Sequence, residues 1–204
     1  MNKYEELIND NELKEVVNNI ENRGINVILV NTRTEALEKI KELIPKNSEI
    51  SNGGSTTLSE IGFLDYLKAN EHGWINLNEE VLKEKDSKKQ TDLRRKSVTS
   101  EYFLGSINAI AKTGELVACD ATGSRVTAYP FAAKNLILVS GINKITSSLE
   151  DAIKRVREYV YPLENERAKK AYGFGSTIGK WVIIEREIFK GRTTLILVKE
   201  KLGF

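Results

Sequence analysis

Glu49-Ile50-Ser51-Asn52-Gly53-Gly54-Ser55-Thr56-Thr57-Leu58-Ser59-Glu60 is the stretch on which the fold turns. Glu49–Ser51 reads as a short buried strand and the two glycines as a tight turn. Thr57 and Glu60 have the spacing of a capping box that opens a helix. A strand that passes through glycines straight into a helix is a unit of parallel α/β sheets. Upstream, Leu13, Val16, Val17 and Ile20 repeat at i, i+3, i+4 and i+7. That spacing predicts an amphipathic helix, which Gly24 ends. Asn26–Val30 then reads as a buried strand, and Ala36, Leu37, Ile40, Leu43 and Ile44 as a second helix stopped by Pro45. Helices alternating with strands predict an α/β fold with a parallel sheet covered on both faces.

Downstream the pattern is less regular. Glu79 to Lys96 is highly charged and predicts one or two exposed helices, with Lys88, Lys89, Arg94, Arg95 and Lys96 as a basic cluster. Ile107–Ala111 and Leu116–Cys119 flank Thr113-Gly114 and read as a β-hairpin. Asp120-Ala121-Thr122-Gly123-Ser124-Arg125 is a second glycine turn, set before a short helix, and Asn135–Val139 is the clearest buried strand. Ser147 and Glu150 form another capping-box spacing. Leu149, Ala152, Ile153, Val156 and Val160 stripe a helix expected to stop at Pro162. Trp181–Ile184 and Thr193–Val198 read as strands joined by a turn at Lys190-Gly191.

The composition narrows the function classes. The chain has 204 residues, 40% hydrophobic and 29% charged, with three prolines and no linker-like stretch, which predicts one domain over 1–204 with an N-terminal helical segment at about 1–24. A net charge of +2 argues against nucleic acid as the main partner. No apolar run is long enough to span a bilayer, so no membrane partner is expected. Met1 to Asp10 is polar and acidic, unlike a secretory signal, and the expected location is cytoplasmic. The single cysteine, Cys119, rules out an internal disulfide, an all-cysteine zinc site or an iron–sulfur cluster within one chain. No cluster has metal-ligand spacing, and cofactors are otherwise unknown at this level.

The candidate ligand-binding residues are Gly53, Gly54, Ser55, Thr56 and Thr57 on the first turn and Gly123, Ser124 and Arg125 on the second. Glycine lets a ligand approach the main chain, and the hydroxyls add donors suited to carboxylate or phosphate. The bland alternative is a tight turn with a helix cap. It is not a Walker motif, because the lysine is missing, nor a dinucleotide fingerprint, because the third glycine is missing. Arg125 adds a fixed positive fork. Two such turns can meet at the carboxyl edge of a parallel sheet. Asp120 and Glu60 are the weak acid/base candidates. Asp120 can instead accept a ligand hydroxyl or pair with Arg125, and Glu60 can be spent on its cap. His72 reads as a surface-loop residue and Cys119 as an inert buried thiol. Lys83–Lys96 reads as a solvated face, the sharper alternative being Arg94 or Arg95 reaching over a ligand. Lys144, after Gly141-Ile142-Asn143, is either a turn residue or an anion contact.

Several of these runs resemble the LUD family of lactate-utilisation proteins. They are Gly53-Gly54-Ser55-Thr56-Thr57, Ser106-Ile107-Asn108-Ala109-Ile110-Ala111, Thr113-Gly114-Glu115-Leu116-Val117 and Thr122-Gly123-Ser124-Arg125. The likeness continues through Val139-Ser140-Gly141-Ile142-Asn143-Lys144-Ile145 and Ala152-Ile153-Lys154-Arg155-Val156-Arg157 to Leu202-Gly203. The resemblance implies a Rossmann-like three-layer sandwich, similar to ribose-5-phosphate isomerase, glucosamine-6-phosphate deaminase and the coenzyme A transferases. It adds Asn108 to the ligand-binding set. It also implies a small anionic metabolite in lactate or related organic-acid metabolism, where some members act alongside iron–sulfur proteins. Many members carry a cysteine-rich segment near the C-terminus. Ala168 to Trp181 contains no cysteine, so a metal or redox role tied to that segment does not carry over. Gly173-Phe174-Gly175-Ser176-Thr177 reads either as a third turn closing the pocket or as a plain loop. Two functions stay open: an enzyme or enzyme subunit, or a non-catalytic module that binds a metabolite, another subunit or a second copy of the chain.

Overall fold

A computed structural model describes residues 2–204. The first half runs α1 (Asp10–Glu21), β1 (Asn26–Val30), α2 (Arg33–Leu43), β2 (Glu49–Asn52), α3 (Thr56–Glu60), α4 (Phe63–Ala69), β3 (Ile75–Asn76), α5 (Leu77–Lys83) and α6 (Ser87–Ser97). The second half runs β4 (Tyr102–Ser106), β5 (Ala109–Ala111), β6 (Leu116–Asp120), β7 (Asn135–Gly141), β8 (Ile145–Thr146), α7 (Leu149–Arg155), α8 (Tyr161–Tyr172), β9 (Lys180–Ile184) and β10 (Thr193–Val198). The main sheet has six strands in the order β1-β10-β7-β4-β2-β3, every neighbouring pair parallel. The α/β class and the parallel sheet expected from the alternation are therefore what the chain forms.

The two-residue period of extended chain divides the core. Ile137, Val139, Ile196 and Val198 face one side, where α2, α3 and α4 bring Ala36, Ile40, Leu58, Phe63 and Leu67. Leu136, Leu138, Leu195 and Leu197 face the other, against Leu13, Val16 and Ile20 of α1. A second sheet, of order β8-β5-β6-β9, shares that second face through Ile110, Leu116, Ala118 and Ile184. On its far side Ala109 and Val117 pack against Ala152 of α7 and Val156 just beyond it.

Several local expectations are corrected. The turn at Lys190-Gly191 forms as expected, but the strands on either side of it, β9 and β10, lie in different sheets. The helix does not stop at Pro162: a π-turn at Val156–Val160 links α7 to α8. The Tyr161 amide bonds the Val156 carbonyl, five residues back, and Pro162 falls in the first turn of α8, where proline is tolerated. The cap of α7 is Ser148, which accepts from the Asp151 amide at 3.1 Å, one residue beyond the expected Ser147–Glu150 pair. His72 is buried, its Nδ1 accepting the Trp74 amide at 3.0 Å and its ring stacked on Trp74. The aromatic cluster that buries it, with Tyr66 and Phe63, comes together from α4 and the approach to β3. Among the described residues, no helix is long and apolar enough to cross a membrane.

Tyr129 is fully buried, and its hydroxyl donates to the Ser106 carbonyl at 2.8 Å. A Cβ on Gly105 would lie 2.2 Å from that hydroxyl oxygen. Gly105→Ala is expected to cost about 1–3 kcal/mol by overpacking, measured by urea unfolding. An unchanged midpoint would mean that Tyr129 has room to move.

Candidate functional site

The connections from β2 and β4 diverge. β2 leads through α3 and α4, on one face, to the edge strand β3, whereas β4 leads through the second sheet, on the other, to β7. A crevice opens between the carboxyl ends of such a pair. It holds Gly54–Thr57 after β2 and Ser106–Asn108 around the end of β4, within a cleft of about 1630 Å³. Typical small-molecule sites occupy roughly 300–1,000 Å³. The loop Asp120–Arg125 forms one wall, with Arg94 and Arg95 of α6 and Tyr161, Arg167 and Tyr172 of α8 further out. Phe174–Ile178, most of the third glycine turn, also line it.

In the first loop Ser55, not Thr57, caps α3, its hydroxyl accepting the Leu58 amide at 3.2 Å. The expected Thr57–Glu60 box does not form, because both side chains bind distant groups instead. Glu60 accepts the Gly203 amide at 2.6 Å, and Thr57 Oγ1 accepts from Lys144 at 2.9 Å. The Gly53 amide continues the sheet by donating to the Leu104 carbonyl. The amides of Gly54, Ser55 and Thr56 have no acceptor among the described residues. A Cβ on Gly53 would sit 2.3 Å from Cγ of Arg125, so this glycine lets the arginine stem lie across the loop. Gly54 differs: its φ is not left-handed, and a Cβ there would meet nothing within 4 Å.

The second loop is largely occupied with itself. Gly123 takes a φ of +93°, which favours glycine. Asp120 accepts the amides of Thr122 and Arg125, at 3.3 and 2.8 Å, so it holds the Arg125 backbone rather than its guanidinium. The Ser124 amide donates to Thr122 Oγ1. Arg125 Nη2 donates to the Cys119 carbonyl at 2.5 Å, leaving the rest of its fork at the cleft. Asn108 lines the cleft, with its Oδ1 bound to the Cys119 amide at 2.9 Å. Burial pushes the Cys119 thiol up to about 11, which leaves it a poor nucleophile near neutrality. Arg95 is paired with Asp92 at 2.9 Å on an exposed face.

Lys144 is the residue the sequence left open, and it reaches the crevice at Thr57 and Ser106. It follows β7, is 2% exposed, and lines the cleft. Its Nζ donates to Thr57 Oγ1 at 2.9 Å, to Ser106 Oγ at 3.1 Å and to the Ile107 carbonyl at 3.1 Å. No carboxylate pairs with it among the described residues. Burial, aided by the like charges of Arg155 and Arg125, holds its ammonium well below the usual lysine range, with Glu60 weakly opposing. Behind it Arg155 is also buried, without an acidic partner among the described residues, donating to the Asn108 carbonyl at 2.5 Å, its pKa pulled down to about 10 by burial. The signal for Lys144 was a lysine set between Ile142 and Ile145 after the strongest strand. Arg155, beside Ala152 and Val156 on the helix stripe, had no comparable signal. Among the described residues, His, Cys, Asp and Glu side chains form no metal-holding group of three or more.

The LUD-domain model matches residues 13–198. No curated protein matches the chain at a significant level. Among solved structures, a DUF162-family protein from Deinococcus radiodurans superposes with a TM-score of 0.54 at 11% identity, covering 95% of this chain and 99% of that one. Ribose 5-phosphate isomerase from Plasmodium falciparum gives a TM-score of 0.34 at 13% identity over 64% of this chain and 66% of its own. Ribose 5-phosphate isomerase A from Neisseria gonorrhoeae gives 0.34 at 13% identity over 87% and 77%. With the family model spanning the sheet, both glycine turns and Lys144, the chain belongs to the LUD-domain family.

Proposed function

We propose that the cleft binds a small anionic metabolite, a carboxylate or phosphate, in lactate or related organic-acid metabolism. The observation that carries this reading is Gly54. Neither its backbone angle nor any neighbour demands a glycine, yet it borders the cleft, and its own amide and the next two have no acceptor among the described residues. Open space and unsatisfied N–H groups at a sheet's switch point suit an anion seated against the main chain. The Arg125 fork supplies charge and direction. The second loop contributes chiefly by placing Arg125, since most of its amides are already bonded.

A thermal-shift screen against sugar phosphates, hydroxy and keto acids, nucleotides and coenzyme A thioesters tests this. A ligand at a hundred times its Kd stabilises by about 2.7 kcal/mol. Arg125→Ala is expected to weaken that ligand by about tenfold or more, the worth of a hydrogen bond to a charged group. If no anion shifts the melting temperature, the anion seat does not exist.

A further inference from the structure

We propose that Lys144 is a nucleophilic amine that forms an imine with the ketone or aldehyde carbon of a 2-oxo acid or aldehyde bound in the cleft, Thr57 and Ser106 relaying the protons. This rests on the anion seat at Gly54–Thr56 and names the substrate class that seat would take.

The argument is geometric first. A buried lysine with a structural role is ordinarily paired, because an uncompensated ammonium in the interior costs several kcal/mol. Lys144 has three neutral partners instead, two hydroxyls and a carbonyl. The charged groups facing it are Arg155 from α7, Arg125 from the second loop and Glu60 from α3. Two of the three repel an ammonium, and the Glu60 carboxylate is engaged by the Gly203 amide. All three favour a free amine, or are diverted from opposing it, and a desolvated amine keeps the lone pair that attacks carbonyl carbon.

Position supplies the second half. Thr57 directly follows the three open amides, and its hydroxyl touches both Lys144 and Ser106. In a 2-oxo acid the carbonyl carbon is bonded to the carboxylate carbon. A carboxylate seated on the Gly54–Thr56 amides therefore presents its neighbour toward Thr57 and Lys144. The competing nucleophiles are weak, since Cys119 is held as a thiol and Asp120 is bonded to amides of its own loop.

The step balances without an oxidant or reductant. The Nζ lone pair forms the C–N bond while the carbonyl π pair moves to oxygen. The two protons released by nitrogen pass through the Ser106 and Thr57 hydroxyls to that oxygen. The C–O bond then breaks, water leaves, and amine plus carbonyl become imine plus water.

The test uses glyoxylate and pyruvate as probes with sodium cyanoborohydride, followed by peptide mass spectrometry, and trace acetic anhydride as a carbonyl-independent check. At pH 7 the reduced adduct is expected at Lys144, saturating with probe. Its rate should be on the order of tenfold or more above that of an exposed lysine; Lys68 and Lys83 are the exposed references. Lys144→Met, checked for folding by circular dichroism, fills the same space without an amine and should lose the adduct. Melting shifts with lactate, which has no ketone or aldehyde, test the seat separately. A lactate shift with Lys144 inert to all three reagents overturns the amine and leaves the seat. An adduct at Lys144 with no lactate or phosphate shift supports the amine and removes the seat. Neither signal removes both.

Discussion

Arg192→Met is expected to lower the free energy of unfolding by about 3–5 kcal/mol, the cost of stripping one partner from a buried ion pair. Arg192 and Glu187 are both nearly fully buried and meet at 2.8 Å. The guanidinium also donates to the carbonyls of Ala128, Tyr129 and Ala133. Removing it leaves a buried carboxylate whose remaining donors are the Thr193 hydroxyl and the Phe189 amide. Burial, the largest influence on Glu187, pushes its pKa up, but those two donors together with Arg192 outweigh it and hold the group below the usual carboxylate range. A depressed carboxylate contributes stability above its unfolded pKa, about 4.3, and loses it as pH falls through the lower folded value. The gap between parent and Arg192→Met should therefore narrow in acid. Adding Glu187→Leu to Arg192→Met should restore part of the loss, because an apolar pair leaves no orphaned charge. The damage should reach the cleft, since Tyr129 packs over Gly105 and bonds the Ser106 carbonyl. A single variant within about 1 kcal/mol of the parent in urea would class the pair with exposed salt bridges.

Short-range patterns in the sequence carried the frame of the fold. The stripe Leu13, Val16, Ile20 is buried as spaced, and Asn135–Val139 lies within β7 near the centre of the sheet. The Gly53-Gly54 turn falls at the switch point because a strand–turn–helix junction is local chemistry. Features set by distant partners were not legible. Thr57 and Glu60 have capping-box spacing, but Lys144 and Gly203 bind them instead, and no window of the chain places those residues together. Asp120 is adjacent enough to pair with Arg125, yet the loop's left-handed Gly123 turns the amides, not the guanidinium, onto its carboxylate. His72 looks polar by its neighbours and is buried by aromatics from α4. The second sheet was half visible as the β5–β6 hairpin, while β8 and β9 join it only in three dimensions. Lys144 was open between a turn residue and an anion contact, and only the packing sets it buried against Thr57, Ser106 and the Ile107 carbonyl.

Lys144→Met is expected to raise stability at neutral pH by about 1–4 kcal/mol, as when buried charged groups give way to apolar ones of similar volume. Methionine is unbranched and fills a lysine-shaped space. Little is orphaned by the exchange: Ser106 Oγ already lies 3.2 Å from both the Ile107 carbonyl and Thr57 Oγ1, and can donate to either. Burial lowers the folded pKa of Lys144, so the unfolded chain binds a proton that the native state refuses. In the window between that lowered value and the ordinary lysine pKa of about 10.4, native stability falls as pH falls. The advantage of Met should accordingly be largest near neutrality and close as pH approaches about 10.4. Urea unfolding of both proteins at a series of pH values reads this directly, and comparing the two cancels alkaline effects elsewhere in the chain. The sign is decisive. A lysine held in place by a favourable charge partner would make the Met variant weaker at neutrality. A lysine that costs stability where it stands is not there for the fold, and what remains to account for it is the chemistry of the cleft it lines.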